Sequence, residues 1–282
     1  MDHIKKLNMS LRKVKILDNN FSHAKYSTDY QESKYIEWLR NTIANGDEII
    51  FLTDNSMRTN YSVNGVRIGL LMEPRVINPS IYEWASNNHD KFNTIFTYDK
   101  ELLSLGGSFK FYPHCGCWIK PEDQLIHNKT KLLSIVASSK AQTTGHKLRH
   151  ESITLIRNND NNLDVFGRGY NKIDYKLDAL KEYGFSIIIE NSKVDYYFTE
   201  KLIDSFITGT VPIYWGCPSI SDFFNLDGMI IFNNIEDLHY KLADLSLEKY
   251  NAMLPAIKEN FEKAKEFLIA EDWIYNNTNT FK

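Results

Sequence analysis

A chain of 282 residues, 43% hydrophobic and 24% charged, has the composition of an ordinary soluble globular protein and room for two domains. Its formal net charge of −3 gives no whole-molecule field that would attract nucleic acid, and no apolar stretch approaches the length of a membrane-spanning helix. The N-terminus, MDHIKKLNMSLRKVKIL, carries positive charge without the continuous apolar run of a secretory signal, so a cytoplasmic protein is expected.

In the first half, short apolar runs alternate with helical patterns. Val14 to Leu17 reads as a strand. Tyr35, Ile36, Leu39 and Ile43 fall at helical spacing, and Asn45-Gly46 ends that pattern. Strands are expected at Ile49 to Leu52, Val66 to Met72, Asn93 to Thr97 and Phe109 to Tyr112, with helices around Ile81 to Trp84 and Glu101 to Leu105. The third strand runs directly into Glu73-Pro74. Three cysteines, Cys115, Cys117 and Cys217, are too few for a disulfide framework. His114-Cys115-Gly116-Cys117 lacks the second ligand cluster that a metal site needs and reads as a loop carrying thiols.

Residues 118–130, WIKPEDQLIHNKT, lose periodicity, and the domain boundary is placed there. A second α/β series follows. Leu132 to Ala137 is a strand, and a helix carries His146, Lys147, Leu148, Arg149, Ile153 and Ile156. Leu163 to Phe166 is a strand ending in Gly167-Arg168-Gly169, and Leu177 to Tyr183 reads as a helix. Amphipathic helices are expected around Ile235 to Leu245 and from Ile257 to Leu268, with Asn276 to Lys282 frayed. Strands alternating with helices indicate mostly parallel sheets. The expected division is 1–120, an N-terminal acceptor-side α/β domain; 121–130, a linker; 131–255, a nucleotide-binding α/β domain; and 256–282, a helix packing back across both.

The second half is organised around FSIIIENSKVDYYFTEKLIDSFITGTVPIYWGCP, from Phe185 to Pro218. The β-branched run Phe185 to Ile189 is a buried strand, closed by Glu190-Asn191-Ser192. Leu202, Ile203, Phe206 and Ile207 share one helix face, Gly209 stops that helix, and Val211 to Trp215 is the next strand. Lys201 lies in the first turn of the helix, where the N–H groups and dipole already favour an anion. A phosphate there would meet both dipole and ammonium; pairing of Lys201 with Glu200 or another surface carboxylate is the alternative.

The pattern FxxxxENSxxxxYxTEK followed by VPIYWGCPSISDFFN resembles the donor-binding signature of glycosyltransferase family 10, the α-1,3/4-fucosyltransferases, and is most similar to Helicobacter-type bacterial members. The resemblance covers roughly the last third of the chain. It implies a GT-B fold with two Rossmann-like α/β domains and a donor cleft between them, a GDP-fucose donor, and inversion in a single displacement. Inverting transfer needs a base, stabilisation of the leaving diphosphate and an oriented sugar. The sequence contains no Asp-x-Asp, so cations, N–H groups and helix dipoles are expected to serve the diphosphate; no cofactor is required, and a divalent metal at most assists.

The resemblance implies Lys201 and Arg149 for the pyrophosphate, with Lys147 as the alternative to Arg149; Arg168, within Gly167-Arg168-Gly169, is a weaker candidate read from the sequence itself. Glu200 and Asn191 correspond to contacts with ribose and sugar diphosphate, Tyr197 to an aromatic position lining the cleft, and Glu73 to the general base. Here Glu73 is followed directly by Pro74, whereas the family element has an intervening serine. Two rival readings stand beside this one: another GDP-sugar donor on the same fold, or a non-catalytic carbohydrate- or nucleotide-binding protein. The partners expected are a nucleotide-sugar donor and a glycan acceptor, with neither nucleic acid nor an integral membrane segment. Acceptor, linkage position and oligomeric state are left open.

Overall fold

Eleven strands form two sheets in the computed structural model, which describes residues 11–18, 24–40, 49–60, 65–158 and 163–281. The first sheet contains β1 (Arg12–Leu17), β2 (Ile36–Arg40), β3 (Ile50–Thr53), β4 (Arg67–Leu70), β5 (Thr94–Thr97) and β6 (Phe109–Phe111). All its pairs are parallel, in the order β2-β1-β3-β4-β5-β6. Helix α1 (Pro79–Asn88) joins β4 to β5, and α2 (Lys100–Leu105) joins β5 to β6. Asp99 caps α2 by accepting the Leu102 N–H at 3.0 Å.

The second sheet is also wholly parallel. It contains β7 (Lys131–Val136), β8 (Asp164–Phe166), β9 (Tyr183–Ile189), β10 (Val211–Trp215) and β11 (Ile230–Ile231), in the order β11-β10-β9-β7-β8. Helix α3 (Thr144–Asn158) leads from β7 to β8, and α4 (Glu200–Ile207) from β9 to β10. Every residue of β9 is buried, which accounts for its unbroken apolar run. The register sets Val211 beside Phe185 and Trp215 beside Ile189. Three helices follow: α5 (Ile235–Leu242), α6 (Leu247–Ala252) and α7 (Leu254–Ala264). The chain then returns to the first sheet with α8 (Ala270–Asn277).

One apolar core runs through both sheets. It includes Val14, Ile16 and Phe51 from the first, and Phe198, Leu202 and Phe206 around α4. Leu202, Ile203, Phe206 and Ile207 are all 2% exposed or less, and burial of each such side chain contributes about 1.5–3 kcal/mol. Gly209 has φ +69 and follows the end of α4; a Cβ there would stand 2.7 Å from Ile126. Lys129 is buried with no carboxylate partner among the described residues: its Nζ donates to the carbonyls of Leu180, Lys181 and Thr208 and to Thr210 Oγ1. These bonds tie the segment between the sheets to the second one.

Helix α8 is held to the first sheet by its acids. Glu271 accepts from Trp38 Nε1, from the Ser27 N–H at 2.8 Å and from Ser27 Oγ at 2.6 Å. Asp272 accepts from Ser33 Oγ at 2.6 Å and the Lys34 N–H at 3.0 Å.

Three local expectations are corrected. Tyr35, Ile36 and Leu39 lie in or beside strand β2, not on a helix; Ile36 and Trp38 point to the buried side with period two, which the helical spacing of other residues concealed. Ile43 and Asn45-Gly46 lie outside the described residues. Leu177 to Tyr183 is not a helix but a short 3-10 turn, Lys176–Ala179, after which Tyr183 already begins β9. Asn276 is not frayed: it belongs to α8, and farther on Phe281 packs on the ring of Phe51 while its carbonyl accepts from Arg12 Nη1 at 2.8 Å.

Candidate functional site

The connection from β7 turns to β8 on one side of the sheet, whereas β9 lies on the other, so the chain direction reverses between β7 and β9. Open parallel sheets form a crevice at such a reversal, beyond the carboxyl ends of the strands. Here that crevice is a cavity of about 240 Å³. Its walls carry Arg149, Arg168, Lys176, Lys201 and Glu200, four cations and one carboxylate.

Helix α4 brings Lys201 and Glu200 to it. The Thr199 hydroxyl caps the helix and also accepts from Lys201 Nζ at 2.9 Å. Behind it lies Glu190, fully buried at the end of β9. Its carboxylate accepts the Thr199 N–H at 2.9 Å and the Thr199 hydroxyl at 2.8 Å, and stands 3.6 Å from Lys201 Nζ. Glu190 therefore fixes the cap and Lys201 from beneath. Lys201 Nζ also reaches Glu200 at 3.1 Å. Burial alone would raise the Glu200 pKa, but the ammonium groups of Lys201 and Lys176 outweigh it and hold the carboxyl well below its usual range.

Helix α3 brings Arg149. Its guanidinium donates to the Ile189 carbonyl through Nε at 3.1 Å and through Nη2, which also reaches Asn191 Oδ1 at 3.1 Å. Burial lowers the Arg149 pKa, with Glu190 and Glu200 opposing, and the group remains a cation. This placement depends on Gly145: a Cβ there would come 1.7 Å from the Glu190 carbonyl oxygen, so only glycine lets α3 start against the end of β9. Thr143 and His146 cap the helix reciprocally, the Thr143 hydroxyl accepting the His146 N–H at 3.1 Å and His146 Nδ1 accepting the Thr143 N–H at 3.3 Å. Burial and the neighbouring Arg149 push His146 down to about 4, leaving its ring neutral and able to accept.

The sequence candidates are thus distributed unequally. Lys201, Arg149, Arg168 and Glu200 meet at the cavity, with Asn191 behind Arg149. Lys147 is exposed and outside the cavity wall. Tyr197 is 1% exposed and packs beside Tyr98, with ring centroids 5.0 Å apart, rather than on the cavity wall.

Glu73 lies on the other side, beyond the end of β4, and its side chain is exposed. Its backbone is clamped. Asp54, buried and in the left-handed region at φ 38, accepts the Met72 N–H at 2.9 Å and the Glu73 N–H at 3.1 Å. The Tyr82 hydroxyl donates to the Glu73 carbonyl at 2.6 Å, and His114 Nδ1 lies 3.0 Å from the Met72 carbonyl. A larger recess of about 850 Å³ runs between the sheets nearby, with Arg75, Tyr98, Asp99, Lys100, Ser192 and Asp195 on its walls. Lys100 and Asp195 meet across it at 3.2 Å.

Sequence reasoning missed Asp54, Gly145 and Lys176. A polar residue directly after a buried strand was the signal for Asp54, and a glycine one residue into a helix for Gly145. Lys176 offered none: it only precedes the stretch Leu177 to Tyr183, which reads as a helix and does not form one.

Comparison with known proteins places these features. Residues 126–252 match Glycosyltransferase family 10 (fucosyltransferase) C-term. An α-(1,3)-fucosyltransferase from Helicobacter pylori is 36% identical over 95 residues, 33% of this chain and 20% of that protein. An α-(1,4)-fucosyltransferase from Arabidopsis thaliana is 27% identical over 146 residues, 48% of this chain and 35% of that protein. The matched parts thus span between a fifth and about a third of these relatives. Among solved structures, an α1,3-fucosyltransferase superposes with a TM-score of 0.56 at 17% identity, covering 94% of this chain and 93% of that one. TarM gives 0.58 at 13% identity over 83% of this chain and 54% of its own. The two parallel sheets have the GT-B architecture, and residues 126–252, a little under half of the chain, are similar to the C-terminal part of glycosyltransferase family 10, the fucosyltransferase family.

Proposed function

We propose that this protein is an inverting fucosyltransferase that moves L-fucose from GDP-fucose to a hydroxyl of a glycan acceptor. The observation that carries the reading is the cationic cavity at the β7–β9 reversal, where Lys201, Arg149 and the α4 N-terminus converge. A diphosphate needs two or more positive partners, and the chain itself supplies them. Glu200 and Asn191, beside those cations, offer an acceptor and an amide to the ribose and the sugar diphosphate.

Across the cleft, Glu73 takes the proton of the acceptor hydroxyl as that oxygen attacks the anomeric carbon. The bond to the β-phosphate oxygen breaks, GDP leaves, and β-linked fucose becomes α-linked. The rigid backbone around Glu73 supports this role, because an exposed carboxylate is useful as a base only where it is held in place. Arg149 rather than Lys147 serves the phosphates, since it alone of the two lines the cavity. Solved α1,3-fucosyltransferases that this fold resembles have been crystallised with GDP and with GDP-fucose.

The deciding experiment is calorimetric titration with GDP, GDP-fucose, GDP-mannose and UDP-sugars in excess EDTA, with Lys201→Ala in parallel. Guanine-nucleotide binding that is selective for fucose, persists in EDTA and is lost in the variant is expected. Preference for another sugar nucleotide would change the donor, and absence of any nucleotide binding would refute the reading.

A further inference from the structure

Lys176 opens the 3-10 turn before β9 and lines the same cavity as Arg149 and Lys201. Its partner is Asp204, on α4 and one turn beyond Lys201. Asp204 is fully buried and has both oxygens engaged: Oδ2 accepts from Lys176 Nζ at 2.6 Å and Oδ1 accepts the Trp118 N–H at 2.7 Å. The lysine is not sealed in with it, since about 20% of its side chain is exposed. An ammonium has three N–H bonds. Asp204 takes one, and among the described residues Lys176 has no second acceptor. Burial by itself would lower the Lys176 pKa, but Asp204 and Glu200 outweigh it and raise it.

This environment differs from that of Arg149, which already bonds a carbonyl and an amide. It also differs from that of Lys201, which is shared among Thr199, Glu200 and Glu190. Arg168, the fourth cation on the wall, is exposed and has no acceptor among the described residues; of the three cavity cations that the protein bonds in place, Lys176 has the fewest acceptors and is held at its root by a carboxylate. Such a group keeps its charge and its position while leaving donors for a ligand.

We propose that Lys176 is a third diphosphate-binding cation, aimed and kept charged by Asp204, that acts with Lys201 and Arg149 on the departing nucleoside diphosphate. The inference rests on the GDP-donor reading above and extends it to a residue outside the family signature found in the sequence.

The test compares affinities for GDP and GMP in the wild type, Lys176→Met and Lys176→Arg, with folding followed by circular dichroism and thermal melting. Loss of a charge-assisted contact to the diphosphate is expected to weaken GDP binding about tenfold or more. GMP binding should change by less than about threefold, because fewer phosphate oxygens depend on the contact. The preference for GDP over GMP then collapses in Lys176→Met and returns in large part in Lys176→Arg. A merely structural ion pair predicts a lower melting temperature with the preference intact, and that result would overturn the proposal. If Lys176→Met does not fold, the double variant Lys176→Gln/Asp204→Asn removes both charges while leaving Trp118 an acceptor; it is judged by the same ratio. A wild type that binds no guanine nucleotide refutes the donor reading and this inference together. A wild type that binds GDP, with an unchanged preference in the variants, refutes only the inference.

Discussion

The two sheets have the same winding but different crevices. In each, the second strand lies to one side of the first and the third to the other, so each has a reversal point: β1–β3 in the first sheet and β7–β9 in the second. At β1–β3, among the described residues, charges of the protein pair with one another. Asp18, 4% exposed, accepts from Arg40 Nη1 at 2.7 Å and from Thr53 Oγ1 at 2.9 Å. At β7–β9 the crevice stays open and cations line it. Topology provides a place, and the side chains decide whether it is a ligand site or a structural joint. The proposed base, Glu73, stands at a different point of the first sheet, the end of β4, where Asp54 and Tyr82 hold its backbone.

The sharpest way to break this contrast is Glu73→Gln. Turnover should fall about 10²–10⁴-fold with GDP affinity unchanged, as measured by initial rates beside calorimetry. Near-normal turnover would remove the first sheet from the chemistry. Next in size, Arg149→Met should weaken GDP binding by about 10–100-fold, the worth of one or more charged hydrogen bonds. Lys147→Met, two residues away on the exposed face of α3, should leave it within about twofold. Equal losses in the two would mean that the cavity is not the diphosphate site.

Asp18→Asn tests the β1–β3 pairing. It should cost about 1–3 kcal/mol of stability in denaturant titration while the folded protein binds GDP normally. A selective loss of nucleotide affinity would give the β1–β3 crevice a ligand role after all.

The smallest effect is a pH dependence around α3. His146 is neutral in the folded protein down to about 4, whereas an unfolded histidine takes up a proton near 6.5. The unfolded state therefore binds more protons in that window, and stability should decline as pH falls from about 6.5 towards 4. Comparing unfolding free energies across this range in the wild type and His146→Gln isolates the contribution. An identical slope in both would show that the Thr143–His146 cap does not depend on the neutral ring.

Legibility in the sequence followed locality. Strand β9, its polar end, Lys201 in the first turn of the next helix and the stop at Gly209 are written in consecutive residues, so the second sheet's half of the candidate site is readable in the sequence. The parallel α/β architecture followed from alternating patterns. What escaped depends on contacts between distant segments. Lys176 needs Asp204, 28 residues later, to become a cavity cation; Gly145 matters only because β9 ends against it; Asp54 acts on Glu73 from another strand end. Strand β2 was misread because the spacing of Tyr35, Ile36 and Leu39 also fits a helix, and only pairing with β1 decides between the two.

The return of α8 to the first sheet has a mechanical consequence. The polypeptide passes between the lobes twice, once before β7 and once between α7 and α8, and Glu271 and Asp272 anchor the second passage. Two tethers define an axis. A single tether would permit swivelling in any direction, whereas a pair resists twist and shear. With one apolar core continuous across both sheets, separating the lobes would require both crossings and that core to give way together.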